Sequence, residues 1–236
     1  MSDTLWLIVP AAGQGKRMGA DKPKQYLNIA EQPILKHTLQ RLHAAFPDAH
    51  LVLCLDRDDQ WFRSEWVPFR HWQRVKGGQE RMESVLNALL AIPANDNDVV
   101  MVHDVARPCI TPADLHALYR AASEHPEGAL LAMPVADTMK RANAEQHSMV
   151  TEPRAGLWHA LTPQGFHYAL LRCALEQAVH ANRVVTDEAS AVEALGKAPK
   201  LVSGRRDNLK VTHPDDLALA AAIMASQAAQ SSERSA

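Results

Sequence analysis

Few cysteines, no long apolar run and no excess of charge of either sign set the first limits on this chain. Its three cysteines, Cys54, Cys109 and Cys173, form no CxxC pair and leave one thiol over in any disulfide scheme. That excludes a disulfide-stapled secreted scaffold, suits a reducing compartment, and leaves buried thiols as the expectation. No apolar stretch approaches the ~20 residues of a membrane-spanning helix. The N-terminus offers only Leu5 to Val9 before Pro10, with no basic region ahead of it. A soluble, cytoplasmic protein with no membrane partner is expected. Lys and Arg number 25 against 27 Asp and Glu, a net charge of −2. No general basic field exists to attract nucleic acid, so any positive charge that matters must be local.

Several chemical signatures are missing too. The twelve histidines include no HExxH, and no GxSxG elbow is present, so zinc-hydrolase and covalent mechanisms lose support. Gly15-Lys16 is followed by Arg17, where a Walker A loop needs Ser or Thr to reach Mg²⁺. A dinucleotide fingerprint fails at Met18, with Gly19 falling one position late.

What is present is the composition of a folded domain, 47% apolar and 22% charged over 236 residues. Short continuous apolar runs at Leu5 to Val9, Leu51 to Leu55, Val99 to His103 and Ala129 to Val135 read as strands buried on both faces. Between them apolar residues fall at helical spacing: Ile34, Leu35, Leu39 and Leu42, then Met82, Val85, Leu86, Leu89 and Leu90, then Leu115 and Leu118. Strands alternating with helices predict a Rossmann-like α/β fold, a mostly parallel sheet flanked by helices. Ligands on such sheets bind at the carboxyl ends of the strands. The segment from Asp137 to Leu161 breaks the rhythm, too long for a connection and too polar for core, and is expected to be a functional excursion or an arm. Beyond it, helices are predicted over Pro163 to about Asn182, Asp187 to Leu195 and from His213 onward, with short strands near Leu201 and from Leu209 to Val211. The polar tail from about residue 226 is expected to fray. The aromatic stretch from Trp61 to Trp72 reads as a satellite cluster against the sheet edge, without a site. No repeat or linker divides the chain, so residues 1–236 read as one domain.

Three motifs carry chemistry. "PAAGQGKRMGADKPKQYL" follows the first predicted strand. After Pro10, which is counted with the same nucleotide site, Ala11, Ala12, Gly13 and Gly15 let backbone N–H groups approach a phosphate chain, and Arg17 and Lys24 act as charged clamps. Glycines alone could simply turn the chain; that leaves the cations Lys16, Arg17, Lys22 and Lys24, and the stiffening Pro23, without a reason. "VKGGQERMESV" follows a short strand and opens a helix. Gly77 and Gly78 admit a flat base, and Arg81 and Ser84 share one helical face. A pyrimidine edge can pair with backbone groups and the Ser84 hydroxyl. Taken alone the stretch is as well explained by a Gly-Gly turn with solvated charges; beside a phosphate loop it reads as a base pocket. "VVMVHDVARP" sets Asp104 and Arg107 just beyond a buried strand. An acid there can hold a ribose hydroxyl, a substrate hydroxyl or Mg²⁺, or cap the next turn, and Arg107 can pair with a second phosphate.

In order from Leu5 to about Ala222, "PAAGQGKRM", "PKQYL", "GGQERMESV", "VHDVARP", "PVADTMKRA", "GLWHALTPQ", "TDEASAVE" and "DNLKVTHPDDL" resemble the 2-C-methyl-D-erythritol 4-phosphate cytidylyltransferase family. The resemblance implies a nucleotidyltransferase fold and attack by the phosphate of the polyol on the α-phosphate of CTP, with pyrophosphate leaving, in non-mevalonate isoprenoid biosynthesis. It also implies Mg²⁺ and a homodimer built on the arm of residues 137–161. It makes Arg17 and Lys24, with Lys210, the catalytic cations, and puts Gly13, Gly78 and Ser84 in the nucleotide pocket. It gives Asp104, Arg107, Thr138, Thr162 and Lys210 to the polyol phosphate, and sends Arg154 to the partner subunit's site. Such a transfer needs alignment and cations rather than a covalent nucleophile, which agrees with the missing catalytic serine or cysteine. Two rivals stand beside it: a cytidylyltransferase for another polyol phosphate such as ribitol 5-phosphate, and a nucleotide-binding regulator that has lost the chemistry. The retained Arg17, Lys24, Asp104 and Lys210 speak against the second.

Overall fold

Alternate residues of each apolar run face opposite ways, and both faces find a cover. The computed structural model describes residues 4–13, 15, 18–19 and 21–235, with side chains through Gln230. Strand β1 (Leu5–Pro10) is followed by β2 (Asn28–Ile29) and β3 (Gln32–Pro33), a small hairpin of their own, and by helix α1 (Ile34–Ala45). Next come β4 (His50–Leu55), β5 (Trp72–Lys76), α2 (Arg81–Ala91), β6 (Val99–Val102), α3 (Pro112–Glu124) and β7 (Ala129–Pro134). Strands β8 (Met139–Ala142) and β9 (Ser148–Glu152) pair with each other as a separate hairpin. The chain then returns through β10 (Trp158–His167) and ends with α4 (Tyr168–His180), α5 (Glu188–Glu193), β11 (Lys200–Ser203) and α6 (Asp215–Ser235).

The main sheet has seven strands in the order β11-β7-β10-β6-β1-β4-β5. Strand β10 runs antiparallel to both β6 and β7, and the remaining pairings are parallel. The carboxyl ends of β1, β4, β5, β6, β7 and β11 therefore open along one edge, and β10 enters the sheet from that same edge. Leu7, Val9, Leu51, Leu53 and Met101 pack on one side with Leu35, Leu39, Leu115 and Leu118 of α1 and α3. Trp6, Ile8, Val52, Val100 and Val102 pack on the other with Val85, Leu89, Leu171 and Leu175 of α2 and α4. Among the described residues no helix is long and apolar enough to cross a membrane.

Four expectations need correction. The helix predicted from Pro163 begins only at Tyr168, because Pro163 to His167 are sheet. Gln164 to His167 pair with β6, and the β7 register shifts between Ala160 and Gln164, where the missing N–H of Pro163 interrupts no regular ladder. Trp158 to Leu161 also belong to β10, so the arm proper is the β8–β9 hairpin and its flanks. No strand forms from Leu209 to Val211; a single bond from the Val211 N–H to the Ala106 carbonyl (2.8 Å) docks that segment. The tail does not fray at residue 226: α6 runs to Ser235, its alanines favour helix, and Gln227 is buried with its Nε2 donating to the Cys109 carbonyl at 3.0 Å. Smaller departures are Cys173 and Leu90, both exposed, while Cys54 and Cys109 are buried as expected. The aromatic stretch is not a separate satellite but joins the main core beside the edge strand β5: Phe69 is buried in that core, and Phe62, edge-on to Trp66 and Trp72, packs against it.

Candidate active site

At the carboxyl edge of the sheet four segments enclose a cleft of about 170 Å³. Pro10, Ala11, Ala12 and Gly13 line it after β1, and Lys24 and Gln25 from the following turn. Gly78, Gln79, Glu80, Arg81 and Ser84 line it at the start of α2, then Asp104, Val105 and Ala106 after β6, and Lys210 from the chain before α6. Three of the sequence motifs and the Lys210 segment thus meet in one place.

The first loop is pinned to the turn beneath it. The buried Gln25 donates from Nε2 to the Ala11 carbonyl at 2.7 Å. Gly15 has φ of +64°, and a Cβ there would stand 2.8 Å from the Lys24 Cβ and Cγ, so only glycine lets the Lys24 stem pass. Lys24 Nζ donates to the Val211 carbonyl at 3.1 Å, which sets it beside the segment bearing Lys210. A Cβ on Gly77 would come within 2.2 Å of Ala12 Cβ, so the base-side and phosphate-side loops touch through a missing side chain. Helix α2 starts with a capping box of Glu80 and Glu83. Ser84 Oγ accepts from the Gly78 N–H at 3.0 Å and donates to the Glu80 carbonyl at 3.2 Å. Its hydroxyl therefore holds the glycine loop in shape, where the sequence reading aimed it at a base edge.

Asp104 is the electrostatic centre. Its Oδ2 lies 2.7 Å from Lys210 Nζ and 3.6 Å from Arg107 Nε, and its Oδ1 lies 2.8 Å from Arg81 Nε. Burial by itself would raise this carboxyl, but the charges of Arg81 and Lys210, with Arg107 behind them, hold it well below the usual carboxylate range. The Asp104 N–H donates to Thr162 Oγ1 at 3.0 Å. That hydroxyl also sits 3.2 Å from His103 Nδ1, while His103 Nε2 sits 3.1 Å from the Arg107 carbonyl. A carbonyl can only accept, so His103 carries its proton on Nε2 and Nδ1 accepts from Thr162. Burial pushes the His103 pKa down to about 4, which keeps the ring neutral.

Arg107 does not face the cleft. It is buried, and its Nη1 donates to the Asn208 carbonyl at 2.7 Å. Asn208 in turn donates from Nδ2 to the Thr162 carbonyl at 2.9 Å. Arg107 thus braces the segment that presents Lys210, in place of the second phosphate contact expected of it. Thr162 likewise lies behind Asp104 instead of lining the cleft. Thr138 and Arg154 are exposed on the flanks of the β8–β9 hairpin, where Arg154 Nη1 donates to the Ala136 carbonyl, and neither lines the cleft. Arg17 lies outside the described residues.

Sequence reasoning missed Gln25, His103, Asn208 and Glu188. All four stand inside motifs already singled out, so the signal was position and not residue type. Glu188 is the least expected: it is fully buried at the start of α5 and grips Arg81, Oε1 to Nη1 at 2.5 Å and Oε2 to Nη2 at 3.0 Å. Burial raises its pKa, and the Arg81 charge opposes that. For Arg81 burial is overridden by Glu188 and then Asp104, so the guanidinium stays charged and neutralised in place. Among the described residues no three of His, Cys, Asp and Glu group to hold a metal ion. Among the described residues the cleft is lined by the cations Lys24, Arg81 and Lys210, the carboxylates Glu80 and Asp104, a run of small residues and the engaged hydroxyl of Ser84. Such a set suits a polyanion held and aligned, not covalent attack by the protein.

The chain matches the family described as IspD, 2-C-methyl-D-erythritol 4-phosphate cytidylyltransferase, over residues 5–226. The 2-C-methyl-D-erythritol 4-phosphate cytidylyltransferase of Chromohalobacter salexigens is 63% identical over 223 residues, covering 94% of this chain and 90% of the relative. That of Shewanella amazonensis is 49% identical over 227 residues, covering 96% and 95%. A crystal structure of 4-diphosphocytidyl-2C-methyl-D-erythritol synthase superposes with a TM-score of 0.83 at 34% identity, covering 95% of this chain and 99% of that one. The Francisella tularensis cytidylyltransferase gives 0.79 at 31%, covering 93% and 99%. With this likeness running over nearly the whole length, the chain belongs to the 2-C-methyl-D-erythritol 4-phosphate cytidylyltransferase family.

Proposed function

We propose that this protein transfers the cytidylyl group of CTP to 2-C-methyl-D-erythritol 4-phosphate, giving 4-diphosphocytidyl-2-C-methyl-D-erythritol and pyrophosphate for isoprenoid biosynthesis by the non-mevalonate route. The observation that carries the reading is the convergence of Lys24 and Lys210 on one cleft, opposite a small-residue loop and beside a carboxylate already held by cations. The acceptor's phosphate oxygen forms the new bond to the α-phosphorus. The bond from that phosphorus to the bridging oxygen breaks, and pyrophosphate leaves with the electron pair. The acceptor is anionic at the start, so no side chain need take a proton from it; the protein's task is alignment and compensation of crowded negative charge.

In this reading Ala12, Gly13 and Gly15 present backbone N–H groups to the triphosphate along a turn shaped by Pro10 and by the Ala11 N–H, which donates to the Cys54 carbonyl at 2.8 Å, and Gly77 and Gly78 admit the cytosine. Arg17 and Lys24 offset the charge growing at the α-phosphate. Lys210, shared with Asp104, answers to both substrates, and Asp104 meets the acceptor's hydroxyls. Mg²⁺, when bound, supplies further neutralisation of the triphosphate. The donor set fits an ion carried by the phosphates and not a protein cage, because both Asp104 oxygens already meet cations. Thr138 and Arg154 reach the acceptor only in a homodimer, from the partner's arm. The exposed Met139, Met149, Val150, Leu157 and Trp158 on that arm and its return support an interface there. We place the single-domain enzyme in the cytoplasm, in keeping with its unpaired thiols.

The test is pyrophosphate release with CTP and either 2-C-methyl-D-erythritol 4-phosphate or ribitol 5-phosphate, repeated with UTP. Turnover is expected with the first acceptor and CTP. Preference for ribitol 5-phosphate, or equal use of UTP, would overturn the reading, since cytosine and uracil exchange a donor for an acceptor at one edge.

A further inference from the structure

Glu188 is a carboxylate that the fold has no need to bury. Helix α5 is capped without it: Asp187 Oδ1 accepts from the Ser190 N–H at 2.9 Å, and Ser190 Oγ accepts from the Asp187 N–H at 3.2 Å. The helix is docked without it as well. Gln164 Oε1 accepts from the Ala189 N–H at 2.8 Å, and Gln164 Nε2 donates to Asp187 Oδ2 at 2.8 Å. A buried ion pair is also a poor device for stability, because apolar residues of similar volume usually serve as well or better. What the Glu188 carboxylate does is occupy Arg81: its two oxygens take Nη1 at 2.5 Å and Nη2 at 3.0 Å, leaving Nε for Asp104 Oδ1 at 2.8 Å.

That division of the guanidinium has a chemical consequence at the cleft. A guanidinium with free terminal nitrogens takes a carboxylate by a two-pronged grip. Released from Glu188, Arg81 could close on both Asp104 oxygens, or swing toward an anionic ligand. With Glu188 present it touches one oxygen only, and Asp104 Oδ2 stays with Lys210 Nζ at 2.7 Å. Charges then alternate from the interior to the cleft as Glu188, Arg81, Asp104, Lys210. Both ends are referenced to one strand, β10, whose Thr162 accepts from the Asp104 N–H and whose Gln164 holds α5.

We propose that Glu188 is a positioning residue for cytidylyl transfer: by occupying both terminal nitrogens of Arg81 it limits that guanidinium to one bond on Asp104, leaving the carboxylate's other oxygen to Lys210 and the acceptor. The inference rests on the function proposed above and assigns a specific contribution to a residue that touches neither substrate. Glu188→Gln keeps the shape but presents one accepting oxygen and an NH₂ group to the same two nitrogens. The acceptor's KM should rise about tenfold while the KM for CTP moves less than about threefold. In an Asp104→Asn background the same change should add no more than about twofold, because its effect passes through Asp104. Glu188→Asp, which keeps both oxygens, should recover part of the loss.

The variants are measured with CTP and 2-C-methyl-D-erythritol 4-phosphate, alongside CTP binding by calorimetry to establish that each is folded. If Glu188→Gln fails to bind CTP, the cycle is run with Glu188→Asp. Equal changes in both KM values, full additivity with Asp104→Asn, or loss of CTP binding by both variants would mark Glu188 as a residue of the fold and overturn the inference while the wild type stays active. An inactive wild type would instead remove the proposed function, and this inference with it.

Discussion

At the residue scale the cleft is governed by where charge can go. Asp104 keeps its negative charge in a buried place because three cations face it, and Lys24 and Lys210 stand on neighbouring stretches of backbone. Lys24→Ala removes one preorganised cation and should lower kcat about 10²–10³-fold while leaving CTP binding largely intact, to be read from single-turnover kinetics and calorimetry. His103 makes a second prediction, about pH. Burial holds its folded pKa at about 4, below the ordinary 6.5, so on acidification the unfolded chain takes the proton first. The stability at stake is whole above about pH 6.5 and drains as pH falls toward about 4. His50, lowered by its own burial and by His71, adds a slope in the same region, so the informative quantity is a difference. Urea unfolding of His103→Gln between about pH 7 and 4.5 should show a shallower loss than the wild type, by a few kcal/mol. Parallel curves would place the acid sensitivity elsewhere.

At the element scale two segments carry more than their sequence announces. Strand β10 is the one antiparallel member of the main sheet, and it delivers Thr162 to Asp104 and Gln164 to α5. Helix α6 closes over a third apolar cluster, where Ala220 meets Met18, Ile34, Cys109 and Val211. About two turns beyond, Gln227 Nε2 donates to the Cys109 carbonyl and reaches Asp207 Oδ2 at 3.2 Å. Gln227→Ala leaves that carbonyl without its donor and should cost about 1–2 kcal/mol. For a chain of this length the melting temperature should fall by about 2–4 °C per kcal/mol in scanning calorimetry. A tail frayed from residue 226 would leave the melting temperature unchanged.

At the scale of the whole molecule the β8–β9 hairpin stands apart from the sheet, with Met149 at 65% and Val150 at 50% exposure. Arg154, on its return, does not line the cleft of its own subunit. If it serves the site of a second copy, Arg154→Ala and Lys24→Ala will each be weak as homodimers. Co-expressed with different tags, they should form a heterodimer with up to one sound site, which draws Lys24 from one chain and Arg154 from the other. Pyrophosphate release from the isolated heterodimer should exceed that of either parent. Activity no higher than the parents in an intact heterodimer would assign Arg154 to its own subunit or to no site.

Much of this protein was legible in its sequence. Leu5 to Val9, Leu51 to Leu55 and Val99 to Val102 are continuous apolar runs because a strand covered on both faces has no polar side to show, and that constraint is local and readable. The cleft-forming loops were equally legible, since glycines and Asp104 follow those runs closely, Lys24 ends the loop after the first of them, and a parallel sheet must bring strand ends together. What the sequence could not determine was which partner each polar side chain would take. Ser84 turned to its own loop, Arg107 to Asn208 and Arg81 to Glu188, each across a contact between elements distant in the chain or against a backbone group that no spacing reveals. The direction of β10 was settled the same way. The stretch after Pro163 carries residues that a helix could accept, and it became a strand because the gap between β6 and β7 offered both of its edges a ladder. Burial alternates along a chain and can be read from it, whereas hydrogen-bond and charge pairing in the interior is chosen among neighbours that only the folded structure supplies.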